Sequence, residues 1–187
     1  MGMYKDVMGT LVRVLAADNI DNSTKQSWQK LIDADLRQGG NGSTLSPRDK
    51  FDYDCCLYAL LHRQLEPAQW DVLVAKYSTH KANKVAAIGR LVSRISSPAP
   101  QLFIYKALTS WAIPKLKGVQ AAKRSTDMIV LPAEFYDMNT WDVEGKPEST
   151  RRRWKTGIAK RLESLEEAAV VHATEIFDRE QIFIDAA

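Results

Sequence analysis

Apolar side chains recur at intervals of three and four residues along most of the chain, which is the spacing of one face of an α-helix. The first two segments of this kind run from Met3 to Ala17 and from Ser23 to Leu36. The loop Gly39–Ser43 is glycine-rich, and Ser46-Pro47 after it is typical of a helix cap followed by an N-terminal proline. The pattern therefore predicts a third helix from Pro47 onward.

A fourth helix is predicted to begin at Leu65-Glu66-Pro67, and the short turn Ser78-Thr79-His80 separates it from a fifth, Lys81 to Ile95. The expected buried stripe of the fifth helix is Val85, Ile88, Leu91, Val92 and Ile95. Two helices joined by three residues fit either a DNA-binding helix-turn-helix or an ordinary helical hairpin. The prolines between Ser96 and Pro100 end the pair.

The rest of the chain is predicted to form several short elements followed by one long helix. Gln101 to Trp111 is helical in pattern until Pro114, and Met128 to Leu131 is a strand-like run without a pairing partner, which fits a buried extended link. Short helical pieces are expected at Leu131–Tyr136 and Asn139–Glu144. A single helix is then predicted from Pro147 to about Phe183.

Together these elements predict a mainly α fold, a multi-helix domain with helix-turn-helix-like elements and a long C-terminal helix. Residues 1–45 are expected to form an N-terminal helical extension, 46–127 a central helical region, and 128–187 a C-terminal helix-turn-helix-like region with the long terminal helix.

Composition narrows the class of protein. The chain has 187 residues, 45% hydrophobic and 26% charged, as expected of a globular protein. No apolar run approaches the roughly 18 to 20 residues that cross a bilayer, and the N-terminus lacks the apolar stretch of a signal peptide. The adjacent Cys55 and Cys56 cannot form a normal structural disulfide with each other. These features predict a cytoplasmic protein without membrane contact.

Charge is sorted along the predicted terminal helix. Six basic residues and one acidic residue lie between Pro147 and Arg161, whereas seven acidic residues and one basic residue lie between Leu162 and Ala187. The net charge of the whole chain is only +3. The two ends of this helix are therefore expected to face different partners.

The sequence contains none of the common catalytic or metal-binding motifs that we considered. No phosphate-binding glycine loop, nucleophile elbow, zinc-finger spacing or His-Glu-x-x-His motif is present. Asp52, Asp54, Cys55, Cys56 and His62 are close in sequence, but consecutive positions of a helix point about 100° apart and cannot converge on one ion. We expect no enzyme activity, no metal and no cofactor.

The segment Gly145-Lys146-Pro147-Glu148-Ser149-Thr150-Arg151-Arg152-Arg153-Trp154 is similar to the turn and recognition helix of a helix-turn-helix module. Trp154 and Ile158 would pack inward, and Ser149, Thr150 and Arg153 would face a DNA groove. A solvated basic helix end is the alternative. The candidate DNA-binding residues are Ser149, Thr150, Arg151, Arg152, Arg153 and Lys155, with Lys81, Lys84, Arg90 and Arg94 as a second group. A candidate phosphate-contacting arm, or a merely solvated loop, carries Lys115, Lys117, Lys123 and Arg124.

Beyond Trp154 the terminal helix carries a narrow apolar stripe. Its residues are separated by three and four positions: Leu162, Leu165, Ala169, His172 and Ile176. This spacing fits a coiled-coil dimer and equally a helix that packs across its own domain.

Three segments together resemble the Q-like transcription antitermination factors, which are late-gene regulators of phages and prophages. They are Pro67-Ala68-Gln69-Trp70 leading to Tyr77, Trp111-Ala112-Ile113-Pro114-Lys115, and the stretch from Gly145 to Trp154. The resemblance covers about Phe51 to the C-terminus. Several members of the family carry a cysteine-rich zinc module, which this sequence lacks.

The resemblance implies a sequence-specific protein that binds double-stranded DNA near a promoter and loads onto RNA polymerase paused with its sigma factor. Such factors narrow the exit region of the nascent RNA, so that terminator hairpins cannot form. Two other functions remain open: a repressor or activator that acts only at initiation, and a helical protein-interaction module without a role in nucleic-acid binding.

Overall fold

The computed structural model describes residues 6–20, 47–115 and 129–182. Within these ranges the chain forms six α-helices, two short 3₁₀ helices and no β-strand, which confirms the mainly α fold with a long C-terminal helix. The elements are α1 (Val7–Ile20), α2 (Pro47–Gln64), α3 (Pro67–Tyr77), α4 (Lys81–Arg94), α5 (Gln101–Ala112), η1 (Ala133–Tyr136), η2 (Met138–Thr140) and α6 (Glu148–Arg179). The helix predicted at Ser23–Leu36 and the loop Gly39–Ser43 lie outside the described residues.

The chain divides into two compact units. One comprises Met1–Leu65 with Val170–Ala187, and the other comprises Glu66–Ala169. The terminal helix α6 contributes residues to both, because the division falls between Ala169 and Val170. Among the described helices, none combines the length and apolar character that a membrane crossing requires.

In the first unit α1 packs against α2. Asp6 starts α1, because its carboxylate accepts a hydrogen bond of 2.6 Å from the Gly9 amide. The buried face of α1 consists of Leu11, Val14 and Leu15, whereas Met8 and Val12 stay partly exposed. Buried side chains of the unit from the other two segments are Leu57, Leu61, Leu65, Ala173, Ile176 and Phe177.

In the second unit the helices α3, α4 and α5 contact one another. Helix α3 begins where Leu65-Glu66-Pro67 predicted it, and Glu66 and Gln69 form a capping box at its start. Trp70, Leu73 and Val74 of α3 are buried, and α4 begins where the turn Ser78-Thr79-His80 ends, as predicted.

One member of the predicted stripe of α4 is wrong. Ile88, Leu91, Val92 and Ile95 are buried, but Val85 is 55% exposed. Ile88 lies one turn after Lys84, so it is Lys84 that continues this face of the helix toward its N-terminus. Its amine donates hydrogen bonds to backbone carbonyls of Lys76 and Ser78 at the end of α3.

The link that precedes α6 differs in detail from the expectation. Residues 129–132 have no regular structure, and Val130 is 39% exposed, so this link is not buried as expected. The helical turn expected at Leu131–Tyr136 is η1. The second expected piece is only the three-residue η2, followed by a turn.

Helix α6 begins directly after Pro147, whose carbonyl accepts hydrogen bonds from the amides of Thr150 and Arg151. It ends at Arg179, a turn earlier than expected. Gln181 adopts φ 53°, and the Ile182 amide donates a hydrogen bond of 3.0 Å to the Phe177 carbonyl. This left-handed cap satisfies the last carbonyls and stops the helix without a glycine.

Candidate nucleic-acid interface

An aromatic cluster anchors the first half of α6 within the second unit. Phe103 of α5 lies edge-on to Trp141 and Trp154, with ring centroids 5.4 and 5.5 Å apart. Trp141 is fully buried, and its indole Nε1 donates a hydrogen bond of 2.7 Å to the Phe135 carbonyl. Ile158 on the next turn of α6 is also buried. The inward packing predicted for Trp154 and Ile158 is therefore confirmed.

The turn before α6 is built around one buried carboxylate. Asp142 accepts hydrogen bonds from the amides of Glu144, at 3.0 Å, and Lys146, at 2.7 Å. Gly145 adopts φ 66°, the left-handed conformation expected of a glycine in such a turn. In a helix-turn-helix, a full first helix precedes the turn, but here only η2 precedes it. The start of α6 is instead held by Asp142 and Trp141.

The six cations in the first half of α6 fall into two groups. Arg152 forms an ion pair of 2.7 Å with Glu148, Lys155 lies 5.0 Å over the Trp141 ring, and Arg151 Nη1 lies 3.5 Å from the Asn139 carbonyl. By contrast, Arg153, Lys160 and Arg161 are exposed and form no hydrogen bond or ion pair with any described residue. Three guanidinium or ammonium groups on this stretch therefore keep their full capacity for an external anion.

The polar residues at the start of α6 are accessible as well. Ser149 is exposed, and Thr150 is partly exposed. The Nε of Arg151 is buried and has no hydrogen-bond partner in the described part of the chain. Glu148 in the first turn places a negative charge at the positive end of the helix dipole, which favours formation of the helix.

The candidate residues of α4 make contacts within the helix pair. Arg90 donates hydrogen bonds of 2.9 and 2.7 Å from Nε and Nη2 to Asp71, a carboxylate that is 2% exposed. Arg94 Nη2 lies 3.9 Å from the other oxygen of Asp71. The carboxylate keeps the pKa of Arg90 above its ordinary value, chiefly through the hydrogen bonds. These contacts favour the interpretation of α3 and α4 as a structural hairpin, with Lys81 the exposed cation at its start.

Lys84 caps the end of α3. Its Nζ donates hydrogen bonds to the carbonyls of Lys76, at 3.0 Å, and Ser78, at 3.3 Å. A positive charge at a helix C-terminus is favourable, but burial of the amine lowers the pKa of Lys84 to about 8. His80 has a similar local function, since its Nδ1 accepts a hydrogen bond of 3.2 Å from the Asn83 amide.

Of the candidate arm, the structure describes Lys115 alone, and this residue is exposed. Lys117, Lys123 and Arg124 lie outside the described residues. The residues considered for a metal cluster belong to α2, and no group of three potential metal ligands is formed within the described ranges.

In the second half of α6, an acidic residue forms contacts within the second unit. Glu166 forms an ion pair of 2.5 Å with Lys76 and accepts a hydrogen bond from the Tyr77 hydroxyl. Burial and the neighbouring Glu166 raise the pKa of Tyr77. Leu162, Ala169 and Ile176 of the predicted stripe are fully buried, and Leu165 and His172 are partly buried. The stripe therefore packs within the chain, as one of its two interpretations predicted.

A cleft of about 360 Å³ lies beside the basic face of α6, which comprises Arg153, Lys160 and Arg161, and was not foreseen from the sequence. Its lining comes from the loop after α4 and from three turns of α6: Ser96, Ser97, Pro98, Arg153, Trp154, Gly157 and Arg161. The available sequence signal was Gly157, a glycine inside a helix between two arginines that are each four residues away.

Comparison with protein families, with curated proteins and with solved structures finds no match to this chain. A functional assignment therefore rests on this chain alone, on the cations of α6 and on the sequence segments described above.

Proposed function

We propose that this protein binds double-stranded DNA through the first half of α6. The observation that carries the proposal is the set of exposed cations without described partners, Arg153, Lys160 and Arg161, on a helix fixed by Trp154 and Ile158. Cations that neutralise phosphates release condensed counterions, and this release drives nucleic-acid binding. The cations of α4 differ, because Lys84, Arg90 and Arg94 have intramolecular partners.

The start of α6 supplies groups that can read bases. Ser149 and Thr150 present short hydroxyl side chains on the first turn, and arginine can form paired hydrogen bonds with guanine. A rigid helix start matters for such contacts, because a loosely held side chain loses specificity. The Asp142 turn and the Phe103, Trp141 and Trp154 cluster supply that rigidity.

Our proposal for the particular function is transcription antitermination of the Q-like kind, on the basis of the sequence resemblance. The protein would bind DNA near a promoter, load onto RNA polymerase that is paused with its sigma factor, and suppress terminators downstream. The acidic outer side of the second half of α6, which includes the exposed Glu163, Glu167 and Glu175, would suit a basic protein surface such as that of a polymerase partner.

A salt-dependent gel shift on the promoter region upstream of the protein's own gene tests DNA binding. Replacing Arg153, Lys160 and Arg161 together by glutamine is expected to reduce the slope of log affinity against log salt by about 0.9 for each lost phosphate contact. The control pair, Lys81→Gln with Arg94→Gln, removes two charges from α4 and is expected to leave the slope nearly unchanged. The reverse result would place the DNA interface on α4.

A terminator placed downstream of the same promoter tests the second part of the proposal. An antitermination factor increases the fraction of transcripts that pass the terminator. A regulator of initiation changes the number of transcripts and leaves that fraction constant. A constant fraction in a reconstituted transcription reaction would therefore replace antitermination by control of initiation.

A further inference from the structure

The cleft beside α6 combines two free arginines with an opening between them. Arg153, Gly157 and Arg161 are spaced by four residues and so lie on one side of the helix, facing the Ser96–Pro98 loop that ends α4. Neither arginine forms an ion pair or hydrogen bond with any residue that the structure describes. The two guanidinium groups thus border a space in which no described side chain neutralises their charge.

Gly157 has no packing reason to be a glycine. A Cβ built at this position meets no atom within 4 Å, and the backbone there has an ordinary helical φ. Glycine inside a helix costs about 1 kcal/mol relative to alanine. A glycine that lines a cleft in spite of this cost is typical of a place where a ligand approaches the backbone closely.

The chemistry of the lining indicates the ligand. The arginine guanidinium presents a planar set of donors that matches the oxygens of a phosphate, and the Ser96 hydroxyl on the opposite side is an exposed donor. Ser97 is already engaged, because its Oγ accepts a hydrogen bond of 3.2 Å from the Ala99 amide. The cleft offers cationic and hydroxyl groups and no carboxylate.

We infer that this cleft holds a backbone phosphate of the bound DNA between Arg153 and Arg161, against Gly157. The inference rests on the proposed DNA binding and deepens it, because it assigns one strand of the duplex to the gap between α6 and the Ser96–Pro98 loop. It also gives the loop after α4 a direct function in binding, whereas the cations of α4 hold the hairpin together.

Gly157→Leu tests the cleft without changing any charge. Leucine favours a helix more than glycine does, and the space around a new Cβ is open, so the variant is expected to fold. Its side chain would fill the cleft. The matched control is Thr156→Leu, which adds the same side chain to an exposed neighbouring position on a different side of α6.

Fluorescence anisotropy with a labelled duplex measures the effect. Gly157→Leu and Arg161→Gln are each expected to weaken binding by about tenfold, the effect of losing one charge-assisted hydrogen-bond contact. Thr156→Leu is expected to bind within about twofold of the unaltered protein. Replacing the contacted phosphate by one neutral methylphosphonate is expected to weaken binding by the unaltered protein. The affinity of Gly157→Leu should be the same for the duplex with and without this replacement.

The results separate the two proposals. If the unaltered protein does not bind DNA at low salt, the proposed function fails, and this inference fails with it. If it binds DNA but Gly157→Leu binds equally well, the cleft assignment alone is overturned. Calorimetry with inorganic pyrophosphate tests whether the cleft binds a free anion instead of a DNA phosphate. Pyrophosphate binding that Gly157→Leu abolishes, with DNA binding unchanged, would make the cleft a site for a free anion and would also overturn the inference.

Discussion

Lys84 is a charged residue that lies on the buried face of α4. Its charge made it a candidate for DNA contact, but its amine donates to the carbonyls of Lys76 and Ser78 at the end of α3. Those carbonyls have no intrahelical partners and would otherwise depend on water. The sequence alone cannot distinguish such a capping lysine from a solvated one, because the distinction depends on where α3 ends in space.

The lowered pKa of Lys84 predicts a pH-dependent stability. Its pKa is about 8 in the folded protein, against an ordinary lysine value of 10.5, so between these two pH values the unfolded state binds more protons. The free energy of unfolding contributed by Lys84 should therefore rise as the pH increases from about 8 toward 10. Urea unfolding at several pH values, compared with Lys84→Met, isolates this contribution.

The comparison with Lys84→Met removes effects shared by both proteins. The raised pKa of Tyr77 has the opposite sign, since it favours the folded state less as the pH rises above 10, but it is present in both proteins. A difference in stability between the two proteins that does not change from pH 7 to pH 10 would contradict the assigned burial of the amine.

At the scale of elements, the α3 and α4 hairpin is held by a buried carboxylate. Asp71 lies in α3 with almost no exposure, and Arg90 of α4 supplies its hydrogen bonds. A buried carboxylate without partners is costly, so the arginine is required by the packing of the hairpin. A basic residue on the outside of a helix pair therefore need not be a nucleic-acid contact.

Arg90→Gln is expected to lower the free energy of unfolding by about 1.5 to 3 kcal/mol, because it removes both charged hydrogen bonds from Arg90 to the buried Asp71. Arg94→Gln is the matched variant on the same helix, and its effect should be smaller because its nitrogen lies 3.9 Å from Asp71. Chemical denaturation measures both. Equal and negligible effects would show that the ion pair does not stabilise the hairpin.

Most helices of the described chain follow from periodicity and punctuation. Pro47, Glu66-Pro67 and Pro147 mark starts correctly, because proline and a cap act locally. The end of α6 was wrong because Gln181, a residue without special preference, takes a left-handed conformation in its tertiary setting. The Phe103, Trp141 and Trp154 cluster was only partly predictable, since it joins residues that are distant in sequence.

The candidate site could be predicted only as a list of charges. The sequence placed Arg153 toward a DNA groove, and the structure shows only that this side chain is exposed. The sequence did not show that Arg151 is partly buried or that Arg152 pairs with Glu148. The cleft depends on the Ser96–Pro98 loop, which follows α4 and lies at least fifty residues before α6 in the sequence. A contact of this range has no local pattern.

At the scale of the whole molecule, α6 is one continuous helix whose residues belong to two compact units. Ile158, Leu162 and Ala169 are buried in the unit Glu66–Ala169. Ala173, Ile176 and Phe177 are buried in the other unit, with α1 and α2. The apolar residues of a single helix thus contribute to two cores, and each core can be weakened separately by a substitution in its own part of α6.

Phe177→Ala is the substitution that separates the two cores most sharply. Phe177 is fully buried, and its truncation should lower stability by about 3 to 5 kcal/mol through lost apolar contact and a remaining cavity. Val171→Ala, in the same unit but 54% exposed, should change stability by less than about 0.5 kcal/mol. Hydrogen exchange should be faster in α1, α2 and the last turns of α6, while α3, α4 and α5 keep their protection. Equal loss of protection in both units would mean that they unfold as one cooperative body. In that case the Phe177→Ala variant would also lose DNA binding under conditions close to its own unfolding midpoint, although the basic face of α6 is unaltered.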